Sequence, residues 1–345
     1  MRWAVVLAGG VGSRFWPLST PARPKQLLPL AGPQPLLTET VERILALVDP
    51  VRILVATSGQ LADAARGALP GLPAANVLAE PFAASTAPAL AWATWRAAAG
   101  DPDATVLSLH ADWTVGEPDA FRATAAEALS VAEQQDALVT VGAAPTRPET
   151  GYGYIVPGAA LPGRARRIER FVEKPDADTA RSLIGSGALW NTGLFAWTAR
   201  RFRAEVQAHT PELAAGLPAL DRGDAEAAYR AFAPVSVDVG VFERTRHGAV
   251  LRGDFGWDDV GSWAALRRVR ATDASGNVAV GDVHLVDAEG CVVWSEEGTT
   301  VISGLTNAVV VRARGITLVT TAERAPELKK LLDRLPPGVV GERGA

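Results

Sequence analysis

The folds open to this chain are limited most by an alternation that runs from Met1 to Ala143. Short apolar runs (WAVVLAGG, VRILVATS, ANVLAEP, ATVLSLHAD, ALVTVGA) are separated by segments of helical period. In LLTETVERILALV, the residues Leu37, Val41, Ile44, Leu45 and Val48 fall on one helical face. STAPALAWATWRAAAG opens with a Ser/Thr cap, carries Pro88 in its first turn and continues as an Ala-rich helix. Strand–helix alternation of this kind predicts an α/β fold with a parallel sheet covered on both faces. Ligands of such sheets bind at the carboxyl ends of the strands, so the residues that end each apolar run are the ones to examine.

The middle of the chain is less regular. GYGYIVPG and RARRIERFVEKP read as a strand pair that extends the sheet, and ALWNTGLFAWT as a strand running into a helix. From Asn277 to Thr321 the texture changes to short β runs split by Gly, Asp and Asn, with no helical period between them. This predicts a small all-β appendage, either a short β-solenoid or a small sandwich. The change of texture divides the chain into a larger part, 1–270, and a smaller one, 271–345. A last helix, APELKKLLDRL, is stopped by Pro336 and Pro337, and the tail GERGA reads as loose.

Composition removes several function classes. The net charge is -4 with no basic block, which argues against nucleic-acid binding, because phosphate backbones attract clustered Lys and Arg. The single cysteine, Cys291, excludes an internal disulfide and reads as a buried, inert thiol. Four histidines leave little for a His/Cys zinc site. The first apolar run is a strand rather than a signal peptide, and no stretch approaches the roughly 20 apolar residues of a membrane span. A cytoplasmic protein without a membrane partner is the expectation.

The first strand ends in AVVLAGGVGSRFWPLSTPARPKQ, Ala4 to Gln26. A P-loop would need GK[ST] after the glycines, and Arg14 stands there instead. A dinucleotide fingerprint would need a third glycine where the chain has Phe15. Gly9, Gly10 and Gly12 still let the backbone approach a ligand and turn its N–H groups inward as an anion nest. Arg14 and Lys25 add two cations, and Pro17, Pro21 and Pro24 stiffen the segment between them.

This loop, LAGGxGxR followed by P-K-Q, resembles that of the sugar-phosphate nucleotidyltransferases, the NDP-sugar pyrophosphorylases. The resemblance continues in order through EPFAASTAPAL, LSLHAD, TGYGYI, FVEKPD, WNTGLF and FGWDDVGSW, and so covers about Leu7 to Trp263. The TAPA run with the FVEKPD and WNTG blocks points to the mannose/GTP branch. The resemblance implies a Rossmann-like, mixed but mostly parallel, GT-A-like catalytic domain. It implies GTP and mannose 1-phosphate as substrates, GDP-mannose and pyrophosphate as products, and Mg²⁺ as cofactor. Other hexose 1-phosphates or nucleotides, or a catalytically silent nucleotide-sugar sensor, are the alternatives. The appendage either packs on the catalytic part or mediates self-association, for which a homodimer is the simplest form.

The same resemblance distributes roles. Leu7, Ala8, Gly9, Gly10 and Gly12 face the nucleotide through the backbone, and Arg14 and Lys25 carry the triphosphate charge. Asp112 and Asp259 become the metal ligands; beside Asp259, Asp258 is the rejected alternative. Glu80 can accept from guanine N1–H and N2–H₂ together, or be a solvated strand end. Ser85 and Thr86 contact ribose or base, or cap the helix. Lys174 takes the sugar phosphate. Gly151, Glu173 and Asn191 take the sugar, Asn191 offering both donor and acceptor. The chain departs from the usual family pattern at His110-Ala111-Asp112-Trp113, where Pro-Ala-Asp-His is common, and at Ala84-Ser85, where Arg-Asn is common. A sugar phosphate is already an anionic nucleophile, so no strong general base is required. The scattered His110, His209, His247 and His284 agree with that.

Overall fold

The computed structural model describes residues 1–10 and 12–340. By packing, the chain forms two compact units. One comprises Met1–Gly9, Thr40–Ala111 and Val115–Trp257; the other comprises Gly10–Glu39, Asp112–Thr114 and Asp258–Ala345.

The first unit is built on a nine-stranded sheet. Its strands are β1 (Arg2–Leu7), β2 (Ile53–Ser58), β3 (Val77–Glu80), β4 (Thr105–His110), β5 (Leu138–Ala143), β6 (Tyr154–Ala160), β7 (Arg166–Val172), β8 (Leu189–Thr198) and β9 (Gly248–Arg252). They lie in the order 3-2-1-4-8-5-9-7-6. β1 to β4 pair in parallel, as the strand–helix alternation requires. The register aligns Leu7 with both Ala56 and His110, and Ser58 with Glu80. The residues that end these strands therefore lie along one edge of the parallel half. β8 runs antiparallel to both β4 and β5, so the sheet is mixed. β6 and β7 form the expected strand pair.

Two local departures matter. The helix around LLTETVERI spans Leu36–Ile44, so Leu45 falls in the following turn and is 43% exposed rather than on the apolar face. The ladder between β5 and β8 shifts register at Val141/Gly142, which sets Gly142 opposite Asn191. Such a shift re-aims the side chains on the bulged strand. It falls within the WNTG sequence, where Gly193 takes φ +73°.

The second unit joins two sequence-distant pieces in one core. Strands β10 (Val278–Val280), β12 (Val292–Ser295) and β14 (Ala308–Ala313) pair in parallel, with Val278, Val292 and Val309 in register. β11 (Val283–Val286) and β13 (Thr300–Ser303) form a second parallel pair, and β15 (Ile316–Thr321) closes the first ladder antiparallel. Parallel pairing of successive turns is a coil and not a hairpin sandwich, so the appendage is a short β-solenoid. The buried Asn277 stitches its turns, donating to the Ala288 carbonyl and accepting from Cys291 N–H. Cys291 lies fully buried against Val293, Ile302 and Val310.

The solenoid shares its core with the segment that follows β1. Phe15, Trp16, Leu18, Leu28 and Leu30 pack with Trp263, Trp294, Val309, Val311 and Leu318. The Phe15 and Trp263 rings meet edge-on at 5.1 Å, and Trp263 Nε1 donates to the Trp16 carbonyl at 3.0 Å. The Arg270 guanidinium, over the Trp294 ring, donates to the carbonyls of Leu30, Pro29 and Gly32 at 2.7–3.0 Å. Packing thus groups the loop with the solenoid, although the sequence changes texture only near 270. The helix expected at APELKKLLDRL is a short Ala325–Glu327 turn followed by Leu328–Leu332; one more helical turn, Pro337–Val340, follows the prolines, and GERGA lies outside the described residues. Among the described residues no helix is long and apolar enough to cross a membrane.

Candidate active site

Of the residues singled out from sequence, Gly10, Gly12, Arg14, Lys25, Asp112 and Asp259 belong to the second unit. Leu7, Ala8, Gly9, Glu80, Ser85, Thr86, Gly151, Glu173, Lys174 and Asn191 belong to the first.

In the second unit, Lys25 opens a short 3₁₀ turn and is only 8% exposed. A buried ammonium must be paired. Its Nζ lies 3.2 Å from Asp112 Oδ2 and 2.6 Å from the carbonyl of Asp259. One lysine thus touches both residues expected as metal ligands, Asp112 through its carboxylate and Asp259 through its main chain. Gly12 makes room for it. At φ +59° the backbone is left-handed, and a Cβ there would stand 2.5 Å from Lys25 Cβ and 2.6 Å from Lys25 N. Gln26, which the sequence reading gives no role, closes the loop through Nε2 to the Gly10 carbonyl at 2.9 Å. Arg14 stands exposed in the Ser13–Phe15 turn. Arg23 pairs with Glu296 at 2.6 Å and is spent on the solenoid.

Asp258 and Asp259 are separated by their surroundings. Asp258 is held by Arg268 and accepts from Val260 N–H at 2.8 Å. Val260, fully buried, takes φ +47°, a conformation that a β-branched residue adopts only under constraint. Asp112 and Asp259 offer two hard oxygen ligands, and no group of three metal-binding side chains occurs among the described residues. That donor set fits Mg²⁺, which takes one or two carboxylates and completes its shell with water and phosphate oxygens.

In the first unit, Leu7 ends β1 and Ala8 follows it, both with their backbones engaged: Ala111 N–H donates to the Leu7 carbonyl, Ala8 N–H to the Ala56 carbonyl, and Thr57 Oγ1 to the Ala8 carbonyl. The Glu80 carboxylate lies beside the loop's first glycine, since a Cβ on Gly9 would stand 3.4 Å from Oε1. Its Oε2 accepts from the Tyr229 hydroxyl at 3.0 Å, a partner that nothing in the local sequence announces. Ser85 precedes the Thr86–Gly100 helix at φ +69° but makes no side-chain cap. Thr86 is committed instead, its Oγ1 accepting from Val237 N–H at 2.9 Å.

Glu173, Lys174 and Asn191 stand with residues the sequence left without a role. Lys174 takes φ +47°, and its exposed Nζ pairs with Glu173 Oε1 at 2.6 Å. Gly153, rather than Gly151, is the glycine under pressure: a Cβ there would lie 2.6 Å from Glu173 Oε2. Gly193 similarly makes room for His110, whose Cδ2 would lie 2.7 Å from an added Cβ. Asn191 Oδ1 accepts from Thr140 Oγ1 at 3.1 Å and from Gly193 N–H at 3.2 Å. Its Nδ2 donates to Asp238 Oδ1 at 2.8 Å. With both carbonyl lone pairs used, Asn191 can present one N–H to a ligand and acts as donor only.

Burial, with the Glu173 charge nearby, pushes the Asp238 carboxyl up to about 6, against the opposing pull of His110 and the Asn191 hydrogen bond. A carboxyl whose pKa is raised on folding contributes fully to stability below its unfolded value, near 4. That contribution is lost as pH rises through about 6. Asp238→Asn keeps an acceptor for Asn191 and removes the buried charge. The variant is expected to unfold at a higher temperature than the parent at neutral pH, with the gain vanishing on acidification below the unfolded carboxyl range. Thermal melts across pH check this, and a pH-independent difference would contradict it.

The sequence matches the nucleotidyl transferase family over residues 3–276. It is 36% identical to a mannose-1-phosphate guanylyltransferase of Klebsiella pneumoniae, over 97% of this chain and 74% of that protein. It is 34% identical to the alginate biosynthesis protein AlgA of Pseudomonas aeruginosa, over 96% of this chain and 71% of that one. A crystal structure from Thermus thermophilus, described as a mannose-1-phosphate geranyltransferase, superposes with a TM-score of 0.90 at 36% identity, covering 96% of this chain and 98% of its own. With the match spanning the whole nine-stranded sheet and the loop after β1, the chain belongs to the nucleotidyl transferase family.

Proposed function

We propose that the protein transfers GMP from GTP to mannose 1-phosphate, forming GDP-mannose and pyrophosphate. The observation that carries this is the paired set of Lys25, Asp112 and Asp259, in a chain whose relatives include mannose-1-phosphate guanylyltransferases. The phosphate oxygen of the sugar attacks the α-phosphorus in line, the α–β bridging bond breaks, and pyrophosphate leaves. The nucleophile is anionic at neutral pH, so the protein's work is to bring two polyanions together and offset their charge.

Gly9, Gly10 and Gly12 let the loop backbone approach the triphosphate, and Arg14 and Lys25 stabilise the charge on the departing pyrophosphate. Glu80 reads the base, while Ser85 and Thr86 face ribose or base. Lys174 binds the sugar phosphate. Glu173 accepts from sugar hydroxyls, Asn191 donates to one, and the backbone at Gly151 lies against the sugar. Asp112 and Asp259 would hold a divalent ion, Mg²⁺ in this reading, which would supply positive charge against the triphosphate.

Pyrophosphate release measured with Mg²⁺ over a panel of nucleoside triphosphates and sugar 1-phosphates tests the proposal. GTP with mannose 1-phosphate is expected to give the highest kcat/KM. A better pair would reassign the substrates, and release with none would favour a nucleotide-sugar sensor.

A further inference from the structure

Glu80 ends β3, and helix Ala225–Ala231 supplies it with a hydroxyl partner, Tyr229, from 149 residues away. Tyr229 is 2% exposed, with its ring edge-on to Trp92 at 5.7 Å and to Phe82 at 6.3 Å. The hydroxyl therefore has little freedom to point elsewhere. It holds Oε2 of a carboxylate whose Oε1 lies beside Gly9, at the start of the glycine loop.

The protonation state of such a carboxylate decides which base it complements. Ionised, it offers acceptors alone and suits guanine, which presents N1–H and N2–H₂ on its Watson–Crick edge. Protonated, it offers one donor and one acceptor and suits adenine, which presents the N1 acceptor and N6–H₂. Burial favours the protonated form of Glu80, and the Tyr229 hydrogen bond opposes that. Burial and the Glu80 charge push Tyr229 upward, so it remains a neutral donor. On the neighbouring elements, Arg96 of the Trp92 helix is exposed, and Asp221 of the Leu217–Asp221 helix pairs with Arg203 at 2.7 Å. Asp63 and Arg66 pair at 2.7 Å on helix Ala62–Ala68, and Glu226 pairs with Arg230 on the helix of Tyr229. β2 and the Gly59–Leu61 turn carry no charged side chain.

We propose that Tyr229 is a positioning residue for nucleobase choice: its hydroxyl fixes the Glu80 carboxylate beside Gly9 in the acceptor-only form that complements guanine. This rests on the reading of Glu80 as the residue that recognises the base. Tyr229→Phe removes one oxygen and keeps the ring contacts with Trp92 and Phe232. Steady-state kinetics of this variant, of Glu80→Gln and of the parent are to be compared with GTP, ITP and ATP from mildly acidic to mildly alkaline pH.

In Tyr229→Phe, KM for GTP is expected to rise about tenfold or more, the scale of a lost hydrogen bond to a charged group. The loss should fall on KM rather than on kcat. The GTP-over-ATP and GTP-over-ITP ratios should shrink. The acid-side rise in KM for GTP should begin at a higher pH than in the parent. If Glu80→Gln loses its preference for GTP while Tyr229→Phe keeps the parent's ratios and pH profile, the role of Tyr229 is overturned and that of Glu80 stands. If Glu80→Gln keeps the parent's preference, the reading of Glu80 falls and the inference with it.

Discussion

Replacing Lys25 by Ala is expected to lower turnover with GTP and mannose 1-phosphate by on the order of a hundredfold or more. The lysine is held in place before any ligand arrives, with its Nζ between Asp112 Oδ2 and the Asp259 carbonyl. A preorganised cation of this kind needs no rearrangement as charge builds on the leaving pyrophosphate, which is why its loss should appear mainly in kcat. The same contacts give it a second consequence: without the ammonium, Asp112 and the Asp259 carbonyl lose a common partner. Lys25→Met, which keeps the buried stem, separates the two effects. A large fall in kcat with an unchanged unfolding temperature assigns the loss to the reaction. Near-normal turnover in either variant would remove Lys25 from the mechanism.

Gly12→Ala is expected to weaken GTP binding by at least about tenfold while leaving the fold intact, because the left-handed backbone alone costs a non-glycine residue about 1–2 kcal/mol. Sterics add to this. The new Cβ would overlap Lys25 N at 2.6 Å, and that atom belongs to the backbone and cannot swing away. The loop must then open, and Lys25 moves with it. Gly10 is the contrasting case, since an added Cβ meets nothing within 4 Å. A loss of GTP affinity in Gly10→Ala would therefore report the approach of the ligand rather than crowding within the protein. Nucleotide titrations of the two variants, with melts alongside, check both statements. Full GTP affinity in Gly12→Ala would contradict the argument.

The strand arrangement around the candidate site is legible in the one-dimensional pattern because it depends on local rules. Each apolar run in the first half must be buried on both faces, and each helical segment must cover it. That brings Leu7, Glu80 and His110 to the same edge of the sheet. A glycine pair at a strand end permits close backbone approach wherever it occurs. The ordered motifs between Leu7 and Trp263 carry the family likeness, and the family match over residues 3–276 agrees with it.

What stayed hidden depends on contacts between distant residues. Nothing in the local sequence singles out Tyr229, and its hydroxyl matters because the fold sets it 3.0 Å from Glu80. Asn191 offers four hydrogen-bonding positions on paper, and Thr140, Gly193 and Asp238 take three of them in the folded chain. The β runs after Asn277 suit a sandwich as well as a coil, since period-two burial is the same in both; the pairing of Val278 with Val292 and of Val292 with Val309 distinguishes them. The change of texture near 270 gives no sign that Trp16 and Trp263 share a core with Trp294. Local pattern specifies which face of an element is apolar. Which distant element covers that face, and which polar groups come to meet across the join, is set by packing and hydrogen-bond satisfaction of the whole chain.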